Sequence, residues 1–184
     1  MKTIVLFALC IIFLYGCGDK LTSPPTSVES KVYFPLETGN IWHYSEKGFI
    51  WDDTLIVTVS NSKIFNRKTY YEVKREYIVK DIKPAIDYYR TENNKVYLYR
   101  VNKDSLYIDF VNKDTTVGYV YSTADNVVTK VGTFDKVKNV GWPASAFDGA
   151  PVNSYAPNVG LISSVGEGPS YELIYAKLGD KIYK

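Results

Sequence analysis

From Asp53 to Val59 the chain alternates, with Leu55, Val57 and Val59 on one face and Thr54 and Thr58 on the other. The stretch from Tyr70 to Val79 repeats the pattern, setting Tyr71, Val73, Tyr77 and Val79 against Glu72, Lys74 and Glu76. Leu106, Ile108 and Phe110 alternate with Tyr107 and Asp109, and similar patterns surround Val127, Val131 and the set Tyr171, Leu173, Tyr175. A period of two with one apolar and one wetter face is the mark of antiparallel sheet. Asn93-Asn94-Lys95, Asn102-Lys103-Asp104 and Asn112-Lys113-Asp114 fall between these runs. Asn and Asp tolerate left-handed backbone and bond to nearby amides, so they favour tight turns. The near repeat Val101-Asn102-Lys103-Asp104 and Val111-Asn112-Lys113-Asp114 reads as two successive hairpin turns, and Gly166 to Pro169 as another. The spacing predicts an all-β fold: a single antiparallel meander, closed as a barrel, left open as a half-barrel, or curled over a core. Little or no helix is expected beyond the N-terminal segment. Pro84 marks an edge or break, and Trp142 to Pro151 is the expected long loop, with a short helix there as the alternative.

The N-terminus breaks the alternation. Met1-Lys2-Thr3 carries one positive charge, and an unbroken apolar run follows from Ile4 to Tyr15. Twelve residues rise about 18 Å as a helix, well short of the roughly 30 Å bilayer core. The run therefore has the length of a signal-peptide apolar region rather than of a permanent span. It ends in Leu14-Tyr15-Gly16-Cys17, which resembles the lipobox of bacterial lipoproteins. The resemblance implies cleavage before Cys17 and attachment of lipid to its thiol. Tyr15 departs from the pattern, in which a small or β-branched residue is commoner at that place. Gly18, rather than Asp, follows the cysteine, which by the same resemblance favours the outer membrane over the inner one. Gly18 to Ser30 is polar and rich in Ser, Thr and Pro, a composition that makes a tether rather than a core. The expected organisation is a signal peptide over 1–16, a lipidated tether over 17–30, and one β-rich domain over 31–184.

Composition narrows the chemistry. The chain has two cysteines, Cys10 in the expected signal peptide and Cys17. The mature protein would thus have no disulfide, thiol nucleophile or thiolate metal site. Of 22 basic and 20 acidic residues, cleavage removes Lys2, and the rest are interspersed. Nucleic-acid binding has no electrostatic support. Tyrosine is abundant, 17 residues in all. Tyr suits a half-buried pleated surface, and a ring-rich face for sugar or lipid is the functional alternative.

Two motifs stand out: Phe34-Pro35-Leu36-x-x-Gly39-Asn40-x-Trp42-x-Tyr44, and Tyr155-Ala156-Pro157-Asn158-Val159-Gly160-Leu161-Ile162. Together they resemble a class of uncharacterised bacterial lipoproteins that begin and end their domain with such segments. The resemblance brings no catalytic role. By their residues, Gly39-Asn40 and Pro157-Asn158 are turns, and Gly160 permits close approach or positive φ. Trp42 and Tyr44 share a face and are expected to plug one end of the core. With Trp142 they form the candidate aromatic cluster for a ligand or for the core.

Catalytic sets are sparse. His43 is the one histidine, so a Ser-His-Asp triad or a usual zinc set lacks parts, and no G-x-S-x-G elbow occurs. Asp52 and Asp53 are adjacent and would point to opposite strand faces. Asp104, Asp114 and Asp125 fall in turn-like stretches without calcium-loop spacing. Gly166-Glu167-Gly168-Pro169 opens no helix and so makes no phosphate loop. The reading is a membrane-anchored, non-enzymatic envelope protein that needs no cofactor or metal. Its expected partners are the membrane, through lipid on Cys17, and a protein of the envelope. The alternative is a carrier or sensor of a lipid or other apolar ligand inside the sheet.

Overall fold

A computed structural model describes residues 31–48, 52–111, 116–142, 151–166 and 168–184. The described residues are all-β, without helix. The alternation seen in the sequence sets the walls. In β1 (Ile41–Lys47) the residues Trp42, Tyr44 and Glu46 are buried, and Ile41, His43 and Ser45 are half-exposed. β2 (Asp53–Phe65) and β3 (Lys68–Tyr77) form a long hairpin, which leads into β4 (Ala85–Glu92), β5 (Lys95–Arg100) and β6 (Lys103–Asp109). β7 (Gly118–Ala124) follows, and then a separate small hairpin of β8 (Val127–Thr129) and β9 (Gly132–Phe134). β10 (Val137–Gly141), β11 (Val152–Ala156), β12 (Gly160–Val165) and β13 (Ser170–Leu178) complete the wall, and β14 (Lys181–Tyr183) pairs with the end of β13.

β13 pairs with β1, from Ile41 opposite Lys177 to Lys47 opposite Ser170, so the sheet closes into an 11-stranded barrel. Closure removes the edges that an open sheet would expose. Neighbours in a ring of odd number cannot all be antiparallel. The exception falls between β6 and β7, which run parallel over Ile108 opposite Gly118 and Asp109 opposite Tyr119.

That pair corrects one expectation. β6 and β7 are not arms of a hairpin, so the second of the two Val-Asn-Lys-Asp repeats does not make one; Asn112-Lys113-Asp114 themselves lie outside the described residues. The first repeat does turn a hairpin, through Val101 and Asn102 at φ +49° and +59°. Asn93-Asn94 and Asn66-Arg67 make the same two-residue, doubly left-handed turn. This turn matches the twist of the flanking strands. Four further corrections concern faces, the first on β13, where a bulge opposite His43 and Tyr44 turns Tyr175 outward beside His43 while Leu173 stays inside. A bulge between Val96 and Tyr97 shifts the register of β6. Leu106 therefore opposes Tyr97, and Tyr107 joins Ile108 in the interior. Val79 lies past the end of β3 and is exposed. Val127 belongs to the small hairpin, and Val131 sits in its turn rather than in the wall. Of the expected loop from Trp142 to Pro151, residues 143–150 lie outside the described set.

The interior is apolar and the outer face carries charge, as on β3, where Val73 is buried while Glu72 and Lys74 lie outward. This is the reverse of a membrane-spanning barrel, which turns its apolar face to lipid. Tyrosine serves both faces. Tyr44, Tyr89 and Tyr155 fill the interior. Tyr70 is fully buried on the outside of the wall, under Phe65, Tyr99 and Arg90.

Candidate ligand cavity

The two sequence motifs meet at one end of the barrel. The Trp42 indole Nε1 donates to the Val159 carbonyl at 2.7 Å, and the Tyr44 hydroxyl donates to the Leu161 carbonyl at 3.0 Å. Asn158, at φ +61°, exchanges two bonds with Val32: its amide donates to the Val32 carbonyl, and its Oδ1 accepts from the Val32 amide. Asn40 is buried, donates to the Pro35 carbonyl and accepts from the Gly179 amide. Gly160 has φ +93°, and a Cβ there would lie 3.2 Å from Pro35 Cδ. These bonds hold the segment before β1 inside the barrel end, where the Phe34 ring reaches Tyr89 and Tyr155.

Above this plug lies a cavity of about 380 Å³. Phe34, Pro35 and Leu36 form its floor, and Trp42, Tyr44, Leu55, Val57, Val59, Val73, Tyr89 and Tyr155 line its walls. The volume lies within the usual range for small-molecule sites, and an apolar lining with few polar groups is their usual character. Burial pushes the phenols of Tyr44, Tyr89 and Tyr155 well above the ordinary tyrosine range. These three phenols therefore stay protonated and uncharged well above neutral pH.

The far end of the cavity is polar. Glu46, fully buried, pairs with Lys80 at 2.5 Å and accepts from Tyr171, whose hydroxyl is 3.2 Å from that of Tyr77. Asp53, the cross-strand neighbour of Glu46, accepts the backbone amides of Thr54, Val79 and Lys80. Burial opposes its ionisation, but those three amides outweigh it and hold its carboxyl below the usual range. Asp53 thus fixes the connection of residues 78–84 at this end. Ile78, Val79 and Ile82 on that connection are exposed, and so is Ile86 just beyond it. Ile82 and Lys83 line the cavity. Arg75 lines it too and pairs with Asp87, whose other oxygen accepts from Arg100 at 2.8 Å. Two buried polar atoms of the lining have no hydrogen-bond partner among the described residues: Arg75 Nε and Asn153 Oδ1.

The aromatic candidates divide. Trp42 and Tyr44 stand together on the cavity wall. Trp142 lies against Gly118, as does Ile108, and the ring of Tyr107, which does line the cavity, stands 5.9 Å from it. His43 lies on the outer face against the Tyr175 ring. Arg75 and Glu46 were missed in the sequence reading, although period-two phase puts both on the inward face, beside Val73 and Tyr44. The buried carboxylates Glu46 and Asp53 are cross-strand partners, but Lys80, Tyr171 and the backbone amides occupy them. Among the described residues no group of three His, Cys, Asp or Glu side chains could hold a metal.

The fold is a closed, apolar-cored β-barrel plugged by the stretch Phe34 to Leu36 just ahead of β1. Two solved structures share it. One is a lipoprotein candidate from Parabacteroides distasonis, 15% identical, with a TM-score of 0.55 over 80% of this chain and 99% of that one. The other is an exported-protein candidate with a YmcC-like fold from Bacteroides fragilis, 11% identical, with a TM-score of 0.53 over the same shares. At these identities the likeness is one of fold. No protein-family profile matches the sequence, and no curated protein does.

Proposed function

We propose that this chain is a lipid-anchored envelope protein, held to the membrane through Cys17, that acts by binding rather than catalysis and receives an apolar chain in its barrel. The observation that carries the reading is the largely apolar cavity of about 380 Å³. A barrel evolved only as a rigid scaffold would be filled to the close packing of ordinary interiors. The lipobox-like Leu14-Tyr15-Gly16-Cys17, the polar tether and the descriptions of the two structural neighbours support the envelope address. Two or three acyl chains on Cys17, at ~0.8 kcal/mol per buried methylene, would make a stable anchor. The outer membrane is the favoured address, because Gly18 follows the cysteine.

Native mass spectrometry of the full-length protein, purified in mild detergent and washed free of it, tests the binding reading. An apolar adduct, displaced by an added long-chain alcohol, is the expected result. A protein that carries no adduct and takes up no alcohol would sink it.

A further inference from the structure

We propose that the cavity takes a single-chain amphiphile whose tail lies against Trp42 and whose compact anionic headgroup is held by Arg75. This rests on the reading of the barrel as an apolar-ligand site and adds the chemistry of the ligand's polar end. Size limits the tail. At the ~30 Å³ that one water takes up in the liquid, a similar volume to a methylene, 380 Å³ holds roughly a dozen such groups. That is one chain, not two.

Direction follows from the ends. The floor is built from Phe34 to Leu36, ahead of β1, and no polar atom of the lining is left unpaired on that stretch. The opposite end carries the charge. Glu46 is answered there by Lys80, and Asp53 by backbone amides. Asp87, however, faces two guanidinium groups, those of Arg75 and Arg100. The Arg75 and Arg100 side chains are 42% and 62% exposed, and with Lys80 they balance Asp87, Glu46 and Asp53, while the exposed Lys83 lines the same end. Although the Arg75 guanidinium pairs with Asp87 through Nη2, its Nε is buried without an acceptor among the described residues; the other unpaired atom of the lining, Asn153 Oδ1, would take the proton of a protonated headgroup oxygen. A buried donor left unpaired is costly, and a charge-assisted bond to an anion is among the strongest ways to satisfy it. A carboxylate or a phosphate monoester would serve, and both have the same chemistry toward a guanidinium.

Dodecanoate, dodecyl phosphate, dodecanol and dodecyltrimethylammonium distinguish the cases. Each is titrated into the full-length protein below its micelle concentration, and tryptophan fluorescence is followed. Either anion is expected to bind about tenfold or more tightly than dodecanol. Arg75→Gln should erase that preference and leave dodecanol binding in place. The tighter anion identifies a fatty-acid-like or a phospholipid-like source. If dodecanol or the cation binds as tightly as the anions, the headgroup assignment falls while the apolar-ligand reading stands. If no probe binds, the apolar-ligand reading falls with it. Should Arg75→Gln fail to fold, the ranking of the four probes on the natural protein still decides.

Discussion

The Trp42 indole donates to the carbonyl of Val159, 117 residues further on, at 2.7 Å. The bond joins the two motifs, from Trp42 in β1 to Val159 in the β11–β12 turn. It also fixes the ring that closes the cavity's plugged end. Removing only the N–H should therefore be felt. Trp42→Phe leaves the Val159 carbonyl buried without its donor and is expected to cost about 1–3 kcal/mol. Trp42→Ala should cost about 3–5 kcal/mol. Urea denaturation of each variant measures both. A Trp42→Phe protein as stable as the natural one would show that the bond does not hold the plug.

Gly160 and Gly39 separate two effects of a glycine. Both have positive φ, +93° and +96°, but a Cβ at Gly160 meets Pro35 at 3.2 Å while one at Gly39 meets nothing within 4 Å. Gly160→Ala adds steric conflict to backbone strain, and Gly39→Ala adds strain alone. Thermal melts should rank Gly160→Ala clearly below Gly39→Ala, with the latter losing about 1 kcal/mol.

Val101 occupies a left-handed turn position at φ +49° with its side chain exposed. A β-branched residue is poorly suited to that conformation. Val101→Asn should stabilise by about 0.5–1 kcal/mol, which for a domain of this size raises Tm by about 2–4 °C per kcal/mol. Differential scanning calorimetry reads it directly, and an unchanged or lowered Tm would contradict it.

Asp53 sets a pH dependence. Its carboxyl is held below the ordinary value by the amides of Lys80, Val79 and Thr54, against the effect of burial. A depressed native pKa contributes stability that is present above the unfolded-state value of about 3.9 and lost as pH falls through the native one. Protease cleavage within residues 78–84 should thus rise as pH drops below about 4. Asp53→Asn should show raised cleavage already at neutral pH and a flatter profile. A natural protein whose cleavage does not change across that range would refute this role.

The proposed anchor has its own test. Labelled palmitate should enter the natural protein and not Cys17→Ser. Undiminished labelling of the variant would remove the lipid from Cys17.

Alternation by itself determined that residues such as Trp42, Tyr44, Leu55, Val57 and Val73 face one way, because strand geometry fixes the period at two. It also implied an all-β chain with tight Asn turns, because Asn93-Asn94 suits left-handed backbone without regard to what lies beyond it. Closure was not legible there. The pairing of β1 with β13 joins residues such as Ile41 and Lys177, and no local pattern encodes a partner so distant. The parallel step between β6 and β7 follows from the odd strand count, which exists only once the ring has closed. The bulge that brings Tyr107 inward is set by pairing with β5, so a strict alternation misplaced it. The cavity was hidden for the same reason. Phase could put Arg75 and Glu46 inside, but only the packed barrel decided that Glu46 meets a lysine while Arg75 keeps a buried donor unpaired. Trp142, grouped with Trp42 and Tyr44 by residue type, stands beside Tyr107 and outside the cavity lining, because packing, not composition, sets which rings touch.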